Sequence, residues 1–138
     1  MSMQYVESGE KSFPISSSIA QYIRVKPTNT LGDSNTPVVT AAGVTDVTLG
    51  VTLRAAFTTT GPQGQTLNGS VGVRLMSAQG TIPMTANGAI PLSASALTPV
   101  YSAAAGKVSA SQASGALLVG YALQAATADG DQIEVLPL

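Results

Sequence analysis

The acidic residues of the chain lie closest together near the C-terminus, where Asp129, Asp131 and Glu134 follow one another. Two carboxylates on either side of a glycine resemble the start of a calcium loop. The further spaced oxygen ligands of such a loop are missing, however, and Asp-Gly is a preferred turn pair. The sequence therefore predicts a turn at Asp129-Gly130 and no metal site.

Other groups that carry chemistry are few. The chain has no His and no Cys, which excludes Ser-His-Asp triads, Cys nucleophiles and Cys/His zinc sites. Its seven Asp and Glu residues show no evident pairing for acid–base work. Gly61-Pro62-Gln63-Gly64 lacks the Lys-Ser/Thr pair of a phosphate loop. Arg54 and Arg74 fall on the polar faces of predicted strands, either as solvated residues or as anchors for a partner's carboxylates. The sequence predicts a protein that is not an enzyme and that takes no cofactor or small-molecule substrate.

The numbers of acidic and basic residues indicate which kinds of partner the chain can bind. Six Lys and Arg against seven Asp and Glu give a net charge of −1, so we expect no nucleic-acid surface. No apolar run approaches the roughly 20 residues that span a bilayer, and no membrane contact is expected. Glu7 and Glu10 stand where a secretion signal has basic and apolar segments. With 44% hydrophobic residues and little net charge, the chain is expected to fold.

Alternation of apolar and polar residues predicts strands along most of the chain. The strongest pattern, Val47–Phe57, predicts a central strand that buries its odd-numbered side chains. Pro27–Pro37 is predicted to be a loop from its turn-forming residues. Residues 93–105 fit either a helical turn or an irregular connection. Shorter strands are predicted at Ile19–Lys26, Val71–Leu75, Leu117–Leu123 and Gln132–Leu136.

Asn87-Gly88 predicts a tight hairpin between Thr81–Met84 and Ala89–Leu92, because both turn positions tolerate a positive φ. Pro83 and Pro91 cannot donate to a ladder, which places this hairpin at a sheet edge. No repeat of fixed period is evident. The expected fold is all-β: a compact antiparallel β-sandwich or barrel-like domain of some seven or eight short strands, with little helix.

Three motifs in residues 99–138 resemble those of one protein family. PVYSAAAGKV at Pro99–Val108, VGYALQAA at Val119–Ala126 and ADGDQIEVL at Ala128–Leu136 are similar, in this order, to the C-terminal half of capsid decoration (cement) proteins of tailed bacteriophages. The resemblance implies a virion structural protein that binds the outer surface of a capsid and stabilises the major capsid protein lattice. It also implies a homotrimer made in the host cytoplasm. A phage fibre subunit or a cell-surface adhesin-type β domain is the alternative.

Residues 1–16 lack clean periodicity and are predicted to form an N-terminal arm, followed by a single β domain over residues 17–138. Large apolar groups in an arm either pack on the domain's own sheet or contact a neighbour, where aromatic residues are favoured. The candidate residues for contact with a capsid or another subunit are Tyr5, Val6, Phe13, Ile15 and Tyr22.

Overall fold

The computed structural model describes residues 9–32, 35–67, 69–78 and 80–138. Within these ranges the chain forms strands joined by turns and a 3-10 segment at Ala104–Gly106. This confirms the all-β prediction with little helix, although several strands have only two or three residues and the number of strands is therefore larger than expected. The strands are β1 (Glu10–Pro14), β2 (Arg24–Leu31), β3 (Pro37–Ala41), β4 (Gly50–Thr52), β5 (Thr59–Thr60), β6 (Thr66–Leu67), β7 (Ser70–Leu75), β8 (Ile82–Thr85), β9 (Thr98–Ser102), β10 (Val108–Ser109), β11 (Leu118–Ala122) and β12 (Gln132–Pro137).

The first sheet has five antiparallel strands in the order β1-β7-β4-β2-β3. Its two edge strands approach each other, because Ile15, just after β1, forms a parallel bridge to Val39 in β3. The sheet therefore curls around its own core. The buried residues of that core are Phe13, Ile15, Ile19, Ile23, Val25, Val39, Val71 and Val73.

The second sheet has five antiparallel strands in the order β8-β12-β11-β9-β10. A parallel bridge from Ala86, just after β8, to Val108 in β10 brings its edges together in the same way. Its core contains Ile82, Met84, Val100 and Val135, all fully buried. The remaining strands, β5 and β6, pair only with each other.

The two sheets are two copies of one arrangement. The five strands of each sheet can be numbered from one to five along the chain, leaving out β5 and β6. Across either sheet the order is then first, fifth, fourth, second and third, and a parallel bridge joins the first strand to the third. Ile19 pairs with Ala56 in the first unit as Ile90 pairs with Ala126 in the second. A side chain at Gly50 would strike the carbonyl oxygen of Arg74, and one at the equivalent Gly120 would strike that of Leu136.

Short sequence matches accompany this repeat. Leu53-Arg54-Ala55-Ala56 corresponds to Leu123-Gln124-Ala125-Ala126, and Val39-Thr40-Ala41 corresponds to Val108-Ser109-Ala110. The sequence showed no fixed period because the spacing between equivalent positions changes along the chain. The β5–β6 hairpin in the first unit, for example, stands where the second unit has the short turn around Asp129-Gly130.

The first unit packs its outer face against the second. Val51 in β4 belongs to the core cluster of the second unit, and Tyr22 and Met76 pack against the same cluster. The amide of Thr85 donates a hydrogen bond to the carbonyl oxygen of Tyr22 at 3.0 Å. The two units therefore have separate cores, and Val51 of the first unit contributes to the core of the second.

This packing corrects the prediction for Val47–Phe57. Only Gly50–Thr52 is a strand, and it is central in its sheet, as predicted. All three of its residues are buried because one face meets the core of the first unit and the other meets the second unit. Val47 and Phe57, by contrast, are 76% and 69% exposed. Outside residues 50–52, the alternation of apolar and polar residues does not correspond to an alternation of buried and exposed side chains.

Two prolines lie within strands, where the sequence predicted a loop and an arm. Pro27–Pro37 is not a loop throughout, since β2 continues to Leu31 and pairs with β3. The ladder between β2 and β4 involves only Arg24 and Val25, so Pro27 lies beyond it and no donor is required there. Pro14 is tolerated in β1, which is an edge strand of its sheet.

The strands β7 and β12 are confirmed, with Val71, Val73, Ile133 and Val135 buried. The strand predicted at Leu117–Leu123 is present as β11, but its register shifts between Leu118 and Gly120. Val119 and Ala122 consequently face the interior, and the leucines at both ends of the predicted strand are exposed.

The predicted Asn87-Gly88 hairpin is wrong. The strand β8 does lie at the edge of its sheet, as predicted, but its ladder partner is β12. The chain crosses over after residue 86, where Asn87 donates its amide to the carbonyl of Val108 at 2.7 Å. Ile90 then pairs with Ala126.

Candidate interaction surfaces

The most buried charge of the described chain is Arg24, at the start of β2. Its guanidinium donates through Nε to the carbonyl of Lys107 at 2.9 Å and through Nη2 to that of Ala103 at 2.8 Å. Nη1 donates to Thr48 Oγ1 at 3.0 Å. Arg24 therefore joins β2 of the first unit to the 103–107 loop of the second, and nothing in the sequence pattern distinguished it from a solvated arginine.

Burial lowers the pKa of Arg24 to about 10, while the nearby Asp46 carboxylate acts in the opposite direction. The guanidinium remains charged at neutral pH, and its hydrogen bonds to carbonyl and hydroxyl oxygens offset its loss of water. Asp46 itself forms a salt bridge with Lys26 at 2.9 Å. Hydrogen bonds from the Lys26 ammonium and the Gly43 amide hold the pKa of Asp46 below its ordinary value. This network stabilises the junction of the units.

The five predicted contact residues do not lie together on one surface. Tyr5 and Val6 lie outside the described residues. Phe13 and Ile15 are 5% and 1% exposed in the core of the first unit, so they pack on the chain's own sheet and are not part of an arm. The strand β1, which contains Phe13 and ends just before Ile15, pairs with β7 over its whole length. Residues 10–14 of the predicted arm therefore form an edge strand of the first sheet.

Tyr22 is half-buried and has a positive φ of 57°, which is uncommon for a bulky residue. Its amide donates to the carbonyl of Thr52 at 2.9 Å, and its side chain packs against the core of the second unit. The structure therefore shows this tyrosine in a contact between the two units of one chain.

The acidic residues near the C-terminus form the predicted turn. One carboxylate oxygen of Asp131 accepts hydrogen bonds from the amide and hydroxyl of Thr127, at 2.8 and 3.0 Å, and from the amide of Ala128, at 3.1 Å. These bonds lower the pKa of Asp131. Asp129 instead pairs with Lys107 at 3.0 Å. Among the described residues, no three His, Cys, Asp or Glu side chains stand close enough to hold a metal ion.

Several large apolar side chains are exposed, among them Leu31, Val47, Phe57, Leu97 and Leu138. An apolar groove of about 470 Å³ opens in the first unit between Pro27, Leu49 and Leu75. A smaller cavity of about 140 Å³ lies at the junction of the units and includes Leu117–Val119. The alternation of residues did not indicate this surface, because it predicted that Val47 is buried. No helix in the described ranges is long and apolar enough to cross a membrane.

The fold defines an all-β chain made of two equivalent curled sheets that pack against each other. No protein-family model matches its sequence, and no curated protein does. Among solved structures the chain is similar to the head fiber gp8.5 N base of bacteriophage phi29, with a TM-score of 0.64. The two share 12% sequence identity, and the match covers 94% of this chain and 92% of that one. At this identity the likeness concerns the fold.

Proposed function

We propose that this chain is a non-enzymatic virion structural protein of a tailed bacteriophage that binds the outer surface of the capsid and stabilises the major capsid protein lattice. The observation that carries the proposal is the fold likeness, over nearly the whole length of both chains, to a phage head fiber base. The C-terminal resemblance to decoration proteins points in the same direction. The sparse charge and the exposed leucines suit a protein that acts by surface contact.

Cosedimentation of the purified chain with empty capsids tests the binding. A lattice-stabilising protein binds the assembled capsid more tightly than the dissociated subunits, so the temperature at which capsids come apart should rise with the concentration of the chain. Capsids without the chain and capsids with heat-unfolded chain are the controls. Absence of the chain from the capsid pellet at saturating concentration would contradict the proposal.

A second candidate is a fibre base, favoured by the same neighbour, which is itself part of a head fiber. A fibre base attaches at particular positions and carries a projection, so it should bind without changing the temperature at which capsids come apart. Electron microscopy of decorated capsids separates the two functions. Density over the whole lattice supports the cement role, and density at isolated points supports the fibre base.

We also propose that the protein acts as a homotrimer and that Tyr5 and Val6 contribute to attachment. Near-neutral surfaces are weakly protected against association, which favours an oligomer. Tyr5 and Val6 precede β1 in the sequence, and aromatic and apolar side chains are favoured in the cores of interfaces. Light scattering should therefore give a mass above the 13.8 kDa of one chain.

A further inference from the structure

The Asn87-Gly88 pair, which does not form the hairpin turn predicted from its sequence, lies on the crossing that follows β8. Before the crossing, the amide of Asn87 donates to the carbonyl of Val108 at 2.7 Å. After it, Ile90 and Ala126 exchange two backbone hydrogen bonds, at 2.9 and 3.1 Å. Between these two anchors the chain bends at Asn87 and Gly88. The pair is therefore a short span that is fixed at both ends.

The groups of this pair that could react with each other are not engaged by the fold. The side chain of Asn87 is exposed to solvent. Among the described residues, neither the side-chain amide of Asn87 nor the backbone N–H of Gly88 has a hydrogen-bond partner. Gly88 has a φ of +94°, and a Cβ added there would meet nothing within 4 Å. Because glycine has no side chain, the backbone nitrogen of Gly88 is left unshielded beside the Asn87 side chain.

We propose that Asn87 is a site of spontaneous deamidation in the folded protein, with water as the co-reactant; asparagine is one of the thermolabile residues. The backbone nitrogen of Gly88 loses its proton to solvent base and attacks Cγ of Asn87. As this N–Cγ bond forms, the bond from Cγ to Nδ2 breaks, and Nδ2 takes a proton from solvent and leaves as ammonia. Water then opens the cyclic imide. Attack at Cγ gives aspartate, and attack at the main-chain carbonyl carbon gives isoaspartate.

The isoaspartate product changes how the second sheet closes. It adds one carbon to the main chain between the anchors at Val108 and Ala126, where Gly88 and Ala89 alone separate position 87 from Ile90. Ile90 is fully buried in the core of the second unit, so a longer span displaces it or strains its pairing. Deamidation through isoaspartate should therefore destabilise the second unit.

Peptide mapping of the folded full chain tests the modification, because trypsin places the asparagines in separate peptides. Asn87 falls in peptide 75–107, the other Asn-Gly pair at Asn68 falls in 55–74, and Asn29 and Asn35, both followed by Thr, fall in 25–54. During incubation at neutral to mildly alkaline pH, peptide 75–107 should gain the mass difference between an amide and a carboxylic acid. Fragmentation should place the change at Asn87, its rate should rise with pH, and peptide 25–54 should keep its mass. No conversion of peptide 75–107 in the folded protein, or equal conversion of peptides 75–107 and 25–54, would overturn the proposal.

Asn87→Gln is the matched variant, because it keeps an exposed amide at this position but must close a larger and slower-forming ring. Its peptide 75–107 should keep its mass under the same incubation, and an isoaspartate methyltransferase should label this peptide from the wild type alone. The melting temperature should fall with incubation time further in the wild type than in Asn87→Gln, since any change at Asn68 is common to both. Equal labelling of peptide 75–107 in the two proteins would refute the modification at Asn87, and equal falls in melting temperature would refute its effect on the second unit.

Discussion

At the residue scale, the buried guanidinium of Arg24 makes a strong test of how the units are joined. Arg24→Met keeps the apolar stem but leaves the carbonyl of Ala103 and the Thr48 hydroxyl without the guanidinium donor, while the carbonyl of Lys107 keeps only its bond from the Ala103 amide. Each buried polar group left unsatisfied costs about 1–3 kcal/mol, so we expect a loss of roughly 3 kcal/mol in the free energy of unfolding. Urea denaturation of the variant and the wild type measures this loss. Arg54→Met, at an exposed position, is the control, and equal stabilities of the two variants would show that the hydrogen bonds of Arg24 contribute little.

Asp131 gives a prediction about pH. Hydrogen bonds from Thr127 and Ala128 lower its pKa in the folded state relative to the unfolded chain. The stabilisation by this carboxylate is therefore complete above the unfolded pKa of about 4 and is lost as the pH falls through the lower folded value. Asp131→Asn should destabilise the protein at pH 7 and flatten the decline of its melting temperature in acid. Melting curves for both proteins between neutral and acidic pH check this, and parallel declines would contradict it.

At the scale of elements, the strand β1 begins at Glu10, within the part of the chain that was predicted to be an arm. Deleting residues 1–8 leaves β1 intact, so the melting temperature should change little while binding to capsids weakens. Deleting residues 1–15 removes Phe13 and Ile15 from the core, and loss of one large core side chain alone costs about 2–5 kcal/mol. The longer deletion should therefore unfold the domain. Circular dichroism melts and capsid cosedimentation measure both effects, and an unchanged binding of the shorter deletion would exclude a role of Tyr5 and Val6.

The alternation of apolar and polar residues correctly predicted those strands that contact the core with one face only. Val71, Val73, Ile133 and Val135 alternate with more accessible residues, and β7 and β12 appear where expected. The pattern failed at Gly50–Thr52, where both faces are covered and alternation carries no information. It also failed at β11, where a shift in register changes which side chains face inward. Neither the second covering layer nor the bulge is encoded in the spacing of nearby residues.

The candidate surface was harder to predict for a related reason. Val47 and Leu97 are exposed in one chain, yet their sequence neighbourhoods resemble those of core or irregular segments. The two units are nevertheless equivalent in strand order. That equivalence becomes visible when strand order and register are compared, because insertions such as the β5–β6 hairpin remove any fixed period from the sequence.

At the scale of the whole molecule, the two units should unfold together, since Val51 and Arg24 of the first unit lie inside contacts with the second. Gly106 is where this coupling is most constrained. Its φ is +74°, and an added Cβ would meet the Ile23 side chain and lie 2.7 Å from the carbonyl oxygen of Arg24. Gly106→Ala should push the 103–107 loop away from β2 and disturb the hydrogen bonds of Arg24.

We expect Gly106→Ala to lose roughly 3–5 kcal/mol of stability, which is characteristic of a clash within a packed interior. With the junction weakened, calorimetry should show a transition whose van't Hoff enthalpy falls below the calorimetric enthalpy, because the units no longer unfold as one. Gly64→Ala is the matched control: Gly64 also has a positive φ, +79°, but an added Cβ would meet nothing within 4 Å. It should lose only the roughly 1–2 kcal/mol of left-handed backbone strain and keep a single transition. If Gly106→Ala behaves like this control, the close approach at Gly106 does not couple the two units.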